Sequence, residues 1–387
     1  MKTAKKQTKS STVRYLLLTG LFGLFSVFIP TVNSHAAEQS GESVSVGGTV
    51  LGSMIAIKSS DAPDSTASRH QFDFAVNLDF EWQLDERVVV FVQGQGGPGD
   101  GPFGNPGPGL EITDIGIAYE AYERAVEITF GSFDTPFGLN TYRLTNNADA
   151  TANPLILNSL MYSAFTASPT GTLNTLGIKG SYFSEAFEAH AAITNGTDES
   201  ADNSDGNYEL VATAAVHLPL GFDFTLAGAA IYSDDTSPNH ASGFGSQLTG
   251  VLGELFVRPV DIIEFGAYTG YLEYDDNSAG TEDGVIALQA EAILHQPIWH
   301  LSIRASAWLP QANTARGEAV STAMPLPGLS SYPSAMQDVW RYQVGGTVKV
   351  LPNIWLMAEG FYDKYDMDSD DINTDTFGGI ASVQVVM

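Results

Sequence analysis

Between His70 and Leu84 the sequence HQFDFAVNLDFEWQL carries an apolar residue at every second position. These apolar positions are Phe72, Phe74, Val76, Leu78, Phe80, Trp82 and Leu84. Successive side chains of a β-strand point to opposite faces, so the pattern predicts a strand with one apolar face and one face of acids and amides. The stretch is long enough to cross a bilayer as a tilted strand of roughly 9–11 residues. Taken alone, it fits two structures: a membrane-spanning strand, or a half-buried strand of a soluble β-sandwich.

The N-terminus has the features of a secretory signal peptide. Five basic residues come before or at the start of an apolar run from Tyr15 to Ile29, and Ser34-His35-Ala36 supplies small residues where a signal peptidase reads them. The run is short for a membrane-spanning helix and a proline follows it, which argues against an uncleaved anchor. We therefore expect a signal peptide over residues 1–36 and one mature domain over residues 37–387.

If the mature chain enters a membrane, it must do so with strands. No segment after residue 36 has the roughly 18 consecutive apolar residues that a spanning helix needs. A sheet in lipid must satisfy every backbone polar group, and only a closed barrel does so. Cysteine is absent, which excludes disulfides and thiolate chemistry. With 39 Gly, 15 Tyr and 21 Phe, the composition is typical of a β-protein rich in turns and aromatic residues.

The mature chain is strongly acidic. All 45 Asp and Glu lie after the predicted signal, whereas five of the 17 Lys and Arg lie inside it, which leaves 12 basic residues and a formal charge of −33. This charge repels phosphate backbones and anionic lipid surfaces, so nucleic acid is excluded as a natural partner. The charge is compatible with cation transport, and equally with a need for solubility in salty surroundings.

From Ser43 onward, alternating segments are separated in turn by short turns and longer polar loops. We identify seven tight turns and eight long connections, which together join sixteen strands. Tight turns at one end and long loops at the other are typical of outer-membrane barrels. The predicted fold class is therefore an all-β, transmembrane, antiparallel β-barrel of about sixteen strands. Three segments alternate poorly, at Glu111 to Tyr122, Gln247 to Arg258 and Ile354 to Tyr365, so fourteen and eighteen strands stay open as alternatives.

The stretch from Phe130 to Leu139, FGSFDTPFGL, lies where a predicted strand enters the longest loop. It is similar to the Gly-x-Phe-x-x-Pro-Phe-Gly segment of phosphate-selective porins of the O/P type and of their relatives, including porins proposed to take up siderophores. Together with the signal peptide, the sixteen-strand pattern and the long third loop, it makes the whole mature chain resemble a Gram-negative outer-membrane porin. One departure is the final strand, which ends in Met387, whereas most such barrels close on Phe or Trp.

The resemblance implies a role for the third loop, because in porins with sixteen strands this loop folds into the barrel and narrows the pore. Here the longest loop, Asp134 to Thr172, is also the third. The expected constriction residues are Asp134, Arg143, Asp149, Leu155 and Leu157. Apolar residues outnumber charges in this loop. It therefore either admits amphipathic solutes, or packs against the barrel wall or a neighbouring subunit.

Alternation also predicts which charges face the pore. The expected pore-lining residues are Asp73, Asp79, Glu81, Glu127, Glu188, Glu209, Lys179, Arg304, Arg341 and Lys349. Phosphate selectivity depends on rows of Arg and Lys, whereas inward acids here outnumber inward bases, so we do not carry that selectivity over. Three of the bases fall on adjacent strands late in the chain. They either form a basic strip or pair with inward acids.

Metal sites and catalysis are not expected. Asp366 to Asp371 resembles a calcium loop, but Asp371 stands at the glycine position and Phe377 at the position of the bidentate glutamate. We expect no cofactor beyond divalent cations bound weakly at the loops. No Gly-x-Ser-x-Gly, His-Glu-x-x-His or phosphate-loop motif is present, so the chain is not expected to be an enzyme. His190 with Glu188, and His300 with Ser302, share a face only because residues two apart on a strand always do.

The sequence therefore predicts a passive channel of the bacterial outer membrane for small hydrophilic solutes and ions, favouring cations. Its expected surroundings are outer-membrane lipid and two further copies of the chain in a homotrimer. Two alternatives remain. One is a substrate-specific uptake porin for amphipathic or metal-chelating solutes. The other is a structural or adhesive barrel with acidic, divalent-binding loops.

Overall fold

The computed structural model describes most of the chain beyond the predicted signal. The described residues are 43–59, 68–98, 108–121, 125–134, 136–139, 155, 174–195, 208–233, 247–276, 281–310, 336–367 and 375–386. The predicted signal peptide and Met387 lie outside them. Within the described part, no helix has the length and apolarity needed to cross a membrane.

The described residues form sixteen β-strands. In chain order they are β1 Ser43–Ser59, β2 Ser68–Gln83, β3 Val88–Pro98, β4 Pro108–Ala121, β5 Val126–Asp134, β6 Asn174–Phe183, β7 Phe187–Thr194, β8 Glu209–Pro219, β9 Asp223–Ser233, β10 Gln247–Val260, β11 Ile263–Asp276, β12 Thr281–Gln296, β13 Trp299–Pro310, β14 Met336–Leu351, β15 Ile354–Met367 and β16 Asp375–Val386. The predicted number of sixteen is confirmed, and the alternatives of fourteen and eighteen are wrong.

Each strand pairs in antiparallel fashion with its neighbours in the sequence, and β1 pairs with β16 to close the barrel. The closing ladder includes the pair Leu51 and Gln384. Closure leaves no sheet edge with unpaired backbone groups, which is the condition for a sheet in lipid. Short turns and long connections alternate along the chain, and the longest connection, residues 135–173, joins β5 to β6 as the third on its side.

Strand β8 shows how the two faces of the wall differ. From Glu209 to Val216 its residues alternate strictly between buried and exposed. The exposed ones, such as Leu210 and Val216, are apolar and point outward, whereas the buried ones point into the barrel. Strand β2 follows the predicted facing, since Phe80 and Trp82 are both exposed on the outer face. An outward apolar face and an inward polar face are what a barrel in a membrane requires.

The poorly alternating segments correspond to β4, β10 and β15. In β10 and β15 the cause is apolar residues on the inward face. Leu252 on β10 and Trp355, Met357 and Phe361 on β15 are buried inside the barrel. The inward face of these strands therefore mixes apolar and polar residues, and the period of two in hydropathy disappears although the side chains still alternate. In β4, register shifts against β3 near Gly94 and Gly97 interrupt the period itself.

A row of glycines lies on the inward face where the third loop leaves the wall. Gly131 on β5 pairs with Gly116 on β4 and with Gly177 on β6. The φ angle of Gly131 is 134°, and a Cβ at this position would collide with the backbone of Ile115. Only glycine is compatible with this backbone conformation and this close approach. Gly131, the first glycine of the Phe130 to Leu139 motif, is therefore a structural requirement of the wall.

Candidate functional site

The third loop enters the barrel immediately after β5 and is held by the part of the wall that β8 and β10 form. The backbone N–H of Gly138 donates to Thr213 Oγ1 on β8 at 3.0 Å, and the N–H of Leu139 donates to Glu254 Oε2 on β10 at 3.1 Å. The Thr213 hydroxyl in turn donates to the carbonyl of Pro136. These contacts place residues 136–139 inside the lumen, as predicted for a third loop folded into the pore.

Apolar contacts reinforce the polar ones along this part of the loop. Leu139 forms a buried cluster with Ala215 and Ala227 on β8 and β9. The ring of Phe137 lies beside Gly250, where a Cβ atom would also meet Leu272 at 2.6 Å. The motif therefore packs against a part of the inner wall, on β8 to β11, that is lined by small and apolar residues.

The loop also reaches the other side of the barrel. Leu155 is fully buried beside Gly345 on β14. A Cβ atom added to Gly345 would lie only 2.8 Å from Leu155 Cδ2. The same position would lie 3.2 Å from the Cβ of Glu359 on β15. The described loop residues thus touch two walls, at β8 to β11 and at β14 to β15. Of the other predicted constriction residues, Arg143, Asp149 and Leu157 lie outside the described residues, and Asp134 ends β5 without a described side chain.

Two of the predicted inward bases form buried ion pairs. Arg304 Nε donates to Glu291 Oε2 at 3.0 Å, and Tyr268 and Gln289 donate to the same carboxylate. Arg341 donates to both oxygens of Asp363, from Nε and from Nη2, each at 2.8 Å. Both guanidinium groups therefore bind carboxylates on neighbouring strands, and this geometry matches the pairing alternative rather than a free basic strip.

The other two predicted bases lie in different surroundings. Lys179 on β6 is buried, and its Nζ lies 5.4 Å from the centre of the Phe133 ring. Lys349 on β14 is exposed near a tight turn, with its Nζ 5.5 Å from the centre of the Trp355 ring. Both contacts have the distance of a cation–π interaction.

The predicted inward acids lie at inward-facing positions of their strands, but they differ in how deeply they are buried. Glu209 is almost completely buried at the long-loop end of β8. Asp79, Glu81, Glu127 and Glu188 are partly or fully accessible and lie toward the tight-turn ends of their strands. Asp73 pairs with Ser53, which is buried inside the barrel, but its side chain is not among those described. The accessible acids thus concentrate at one mouth of the barrel.

Several groups that shape the interior were not predicted. Thr213 and Glu254 hold the loop, Asp363 pairs with Arg341, and Glu359 accepts from Gln343 at 2.9 Å. Glu254, Glu359 and Asp363 all lie on β10 or β15, where inward apolar residues hide the period in hydropathy. No pattern within these two strands indicated these residues, because the facing of β10 and β15 follows only from their register with the neighbouring strands.

One cluster has the order of groups found in nucleophilic triads. His190 Nδ1 lies 3.0 Å from Ser181 Oγ, and His190 Nε2 lies 2.8 Å from Glu188 Oε1. A nucleophile also needs an accessible oxygen and backbone N–H donors for an oxyanion. Ser181 is 4% exposed, and it lies within ladders that pair β6 with both of its neighbours. The geometry is that of a hydrogen-bonded network in the wall.

Comparison with known proteins gives structural similarity without sequence similarity. No protein-family model matches the chain, and no curated protein matches its sequence. Among solved structures, OprB of Pseudomonas putida aligns with a TM-score of 0.62 and 10% identity, over 89% of this chain and 94% of that chain. The alignment therefore spans nearly the whole of both proteins.

Two further structures are similar over comparable lengths. The anion-selective porin from Comamonas acidovorans has a TM-score of 0.58 at 9% identity, over 89% of this chain and all of that chain (100%). The trimer form of OmpT, an outer-membrane protein of Vibrio cholerae, has a TM-score of 0.56 at 11% identity, over 90% of this chain and 100% of that chain. Identities this low establish the fold. Together with the closed barrel of sixteen antiparallel strands and its internal third loop, they show that this chain has the fold of the Gram-negative outer-membrane porins.

Proposed function

We propose that the protein is a passive channel of the outer membrane for small hydrophilic solutes and ions. The observation that carries this proposal is the third loop, which is anchored inside a closed barrel by Thr213 and Glu254. A loop held at these points narrows a lumen without contributing to the ladder that closes the wall. The proposal is transport and not catalysis, because the Ser181 hydroxyl beside His190 is buried within the strand ladders of the wall.

We further propose that the channel favours cations. Accessible carboxylates at the tight-turn mouth, including Asp79, Glu81, Glu127 and Glu188, raise the local concentration of cations. The deeper bases Arg304 and Arg341 are neutralised by Glu291 and Asp363. In this respect the charge pattern differs from what the anion selectivity of the Comamonas acidovorans porin would require.

A homotrimer in outer-membrane lipid completes the proposal. The structure of OmpT from Vibrio cholerae in a trimer form supports three-fold assembly for a barrel of this fold. The outward aromatic and aliphatic residues, such as Trp340 and Val344, supply an apolar surface for lipid or for neighbouring subunits.

The test is a conductance measurement on protein folded in detergent and inserted in planar bilayers. We expect stable openings that appear in groups of three, and currents that persist when chloride is replaced by a large anion. Currents that vanish on this replacement would contradict the cation preference. A folded barrel without any conductance would contradict the channel itself and would favour the structural or adhesive alternative.

A second candidate function is the specific uptake of amphipathic solutes. The observation in its favour is the apolar lining of the third loop, where Phe137, Leu139 and Leu155 are buried against the wall. Competition decides between the two: an amphipathic solute that blocks ion current at micromolar concentration supports specific uptake, and equal, weak effects of all solutes support general diffusion.

A further inference from the structure

Four histidines lie on the inward face of one mouth of the barrel. His190 and His217 lie on β7 and β8, and His295 and His300 lie on β12 and β13, each within a few residues of a tight turn. Two carboxylates, Glu188 and Glu264, lie among them. We name these six residues the imidazole belt. The tight-turn mouth thus concentrates the side chains whose charge changes near neutral pH.

On the first side of the belt, two imidazoles converge on one carboxylate. His190 Nε2 lies 2.8 Å from Glu188 Oε1, and His217 Nε2 lies 3.5 Å from Glu188 Oε2. The opposite ring nitrogens contact hydroxyls: His190 Nδ1 lies 3.0 Å from Ser181 Oγ, and His217 Nδ1 lies 2.9 Å from Thr225 Oγ1. Since a hydroxyl either accepts or donates, each ring can gain a second proton without losing these contacts.

On the second side, the partners differ. His295 Nε2 lies 3.4 Å from Glu264 Oε2, and Arg258 already binds the same carboxylate. His295 Nδ1 lies 3.0 Å from His300 Nδ1, and the His300 ring stacks on Trp355. A hydrogen bond between two Nδ1 atoms needs one donor and one acceptor, so protonating both rings removes it.

Further charged groups flank the belt. Glu127 on β5 lies opposite Ser181 in the strand ladder, Asp223 on β9 lies opposite Arg258, and Lys349 on β14 lies over Trp355. Among the side-chain types at this mouth, imidazole is the one whose charge ordinarily changes near neutral pH, whereas carboxylates and amines ordinarily change several pH units away.

We propose that the imidazole belt makes the ion selectivity of the tight-turn mouth dependent on protons. This inference rests on the proposed channel function and deepens it. At neutral pH Glu188 attracts cations, whereas Glu264 is already bound by Arg258, and on mild acidification the protonated imidazoles add positive charge that weakens this attraction. The channel then passes cations with less preference, while the deeper ion pairs Arg304–Glu291 and Arg341–Asp363 keep their charges.

The first test measures reversal potentials across a salt gradient at about pH 7.5 and about pH 5.5. For the wild-type channel we expect the permeability ratio of potassium to chloride to fall roughly two- to fourfold. A variant with all four histidines replaced by glutamine should lose most of this change. The matched control is His70→Gln, which removes an imidazole from β2 at its long-loop end and should keep the full change.

A second measurement does not depend on conduction. Folded barrel in detergent is titrated between the same two pH values, and proton uptake by the wild type is compared with uptake by the quadruple variant. We expect the quadruple variant to take up fewer protons than the wild type. Equal uptake, or a quadruple variant whose selectivity changes as much as that of the wild type, would overturn the proposal. A folded protein that takes up the protons but never conducts would instead contradict the channel function.

If the quadruple variant does not fold, two double variants replace it. His190→Gln with His217→Gln, and His295→Gln with His300→Gln, should each remove part of the pH-dependent change in selectivity.

Discussion

At the scale of single residues, the interior is organised by buried charge pairs that must be complete. Arg341 and Asp363 are both almost fully buried and share two hydrogen bonds in fork geometry. Such a pair contributes little net stability, because desolvation offsets attraction, but removing one partner leaves an uncompensated charge. The effect of the pair on the free energy of unfolding is therefore measurable mainly when one partner is removed.

We predict that Asp363→Asn lowers the free energy of unfolding of the barrel by about 3 kcal/mol. Urea unfolding in detergent, followed by the gel mobility of the folded barrel, measures this change. The control is the double variant Arg341→Met with Asp363→Leu, which removes both charges and should recover most of the loss. A double variant as unstable as Asp363→Asn would show that the loss does not come from the isolated charge.

The sequence predicts the inward position of Arg341 but gives no signal for its partner Asp363. The inward position of Arg341 follows from β14, where Trp340, Tyr342 and Val344 alternate with polar residues. Asp363 lies on β15, where Trp355, Met357 and Phe361 also point inward and remove the hydropathy signal. Parity along one strand is local information. The identity of a cross-strand partner depends on register, which the sequence does not specify once a strand is apolar on both faces.

At the scale of elements, the described residues of the third loop contact the inner wall of the barrel at two places. Its first residues bind β8 and β10, and Leu155 packs against β14 and β15. Its length and position in the chain predicted that it folds inward. The surfaces that it touches were not predictable, because they lie far away in sequence and are formed by small inward residues such as Ala215, Gly250 and Gly345.

We predict that deleting residues 153–161 enlarges the single-channel conductance by roughly 1.5-fold or more. The barrel should still fold, because loop residues contribute no hydrogen bonds to the closed ladder. A deletion of the same length within the seventh long connection, residues 318–326, is the control and should change conductance less. A folded deletion variant with wild-type conductance would mean that this part of the loop does not narrow the pore.

At the scale of the whole molecule, the question is which of the many acids would set the proposed selectivity for cations. The chain carries 45 acidic residues, and they lie both at the tight-turn mouth and in the long connections. The sequence predicted the excess and the inward parity of several acids. It left open whether the inward bases pair with inward acids. Among the described residues Glu291 binds Arg304 and Asp363 binds Arg341, so the accessible carboxylates of the tight-turn mouth are the ones to test as the source of the proposed preference for cations.

Two variants that each remove three negative charges, one at the tight-turn mouth and one in a long connection, distinguish the contributions of the two groups of acids to selectivity. The variant Asp79→Asn, Glu81→Gln, Glu127→Gln should lower the permeability ratio of potassium to chloride several-fold at about 0.01 M salt, where the Debye length is roughly 30 Å. At about 1 M salt, where it is roughly 3 Å, the same variant should differ little from the wild type. The control Asp198→Asn, Glu199→Gln, Asp202→Asn removes three charges from the fourth long connection and should have the smaller effect at low salt. If the loop variant instead loses more selectivity than the mouth variant, the preference for cations arises outside the barrel wall, and the carboxylates of the tight-turn mouth are not its source.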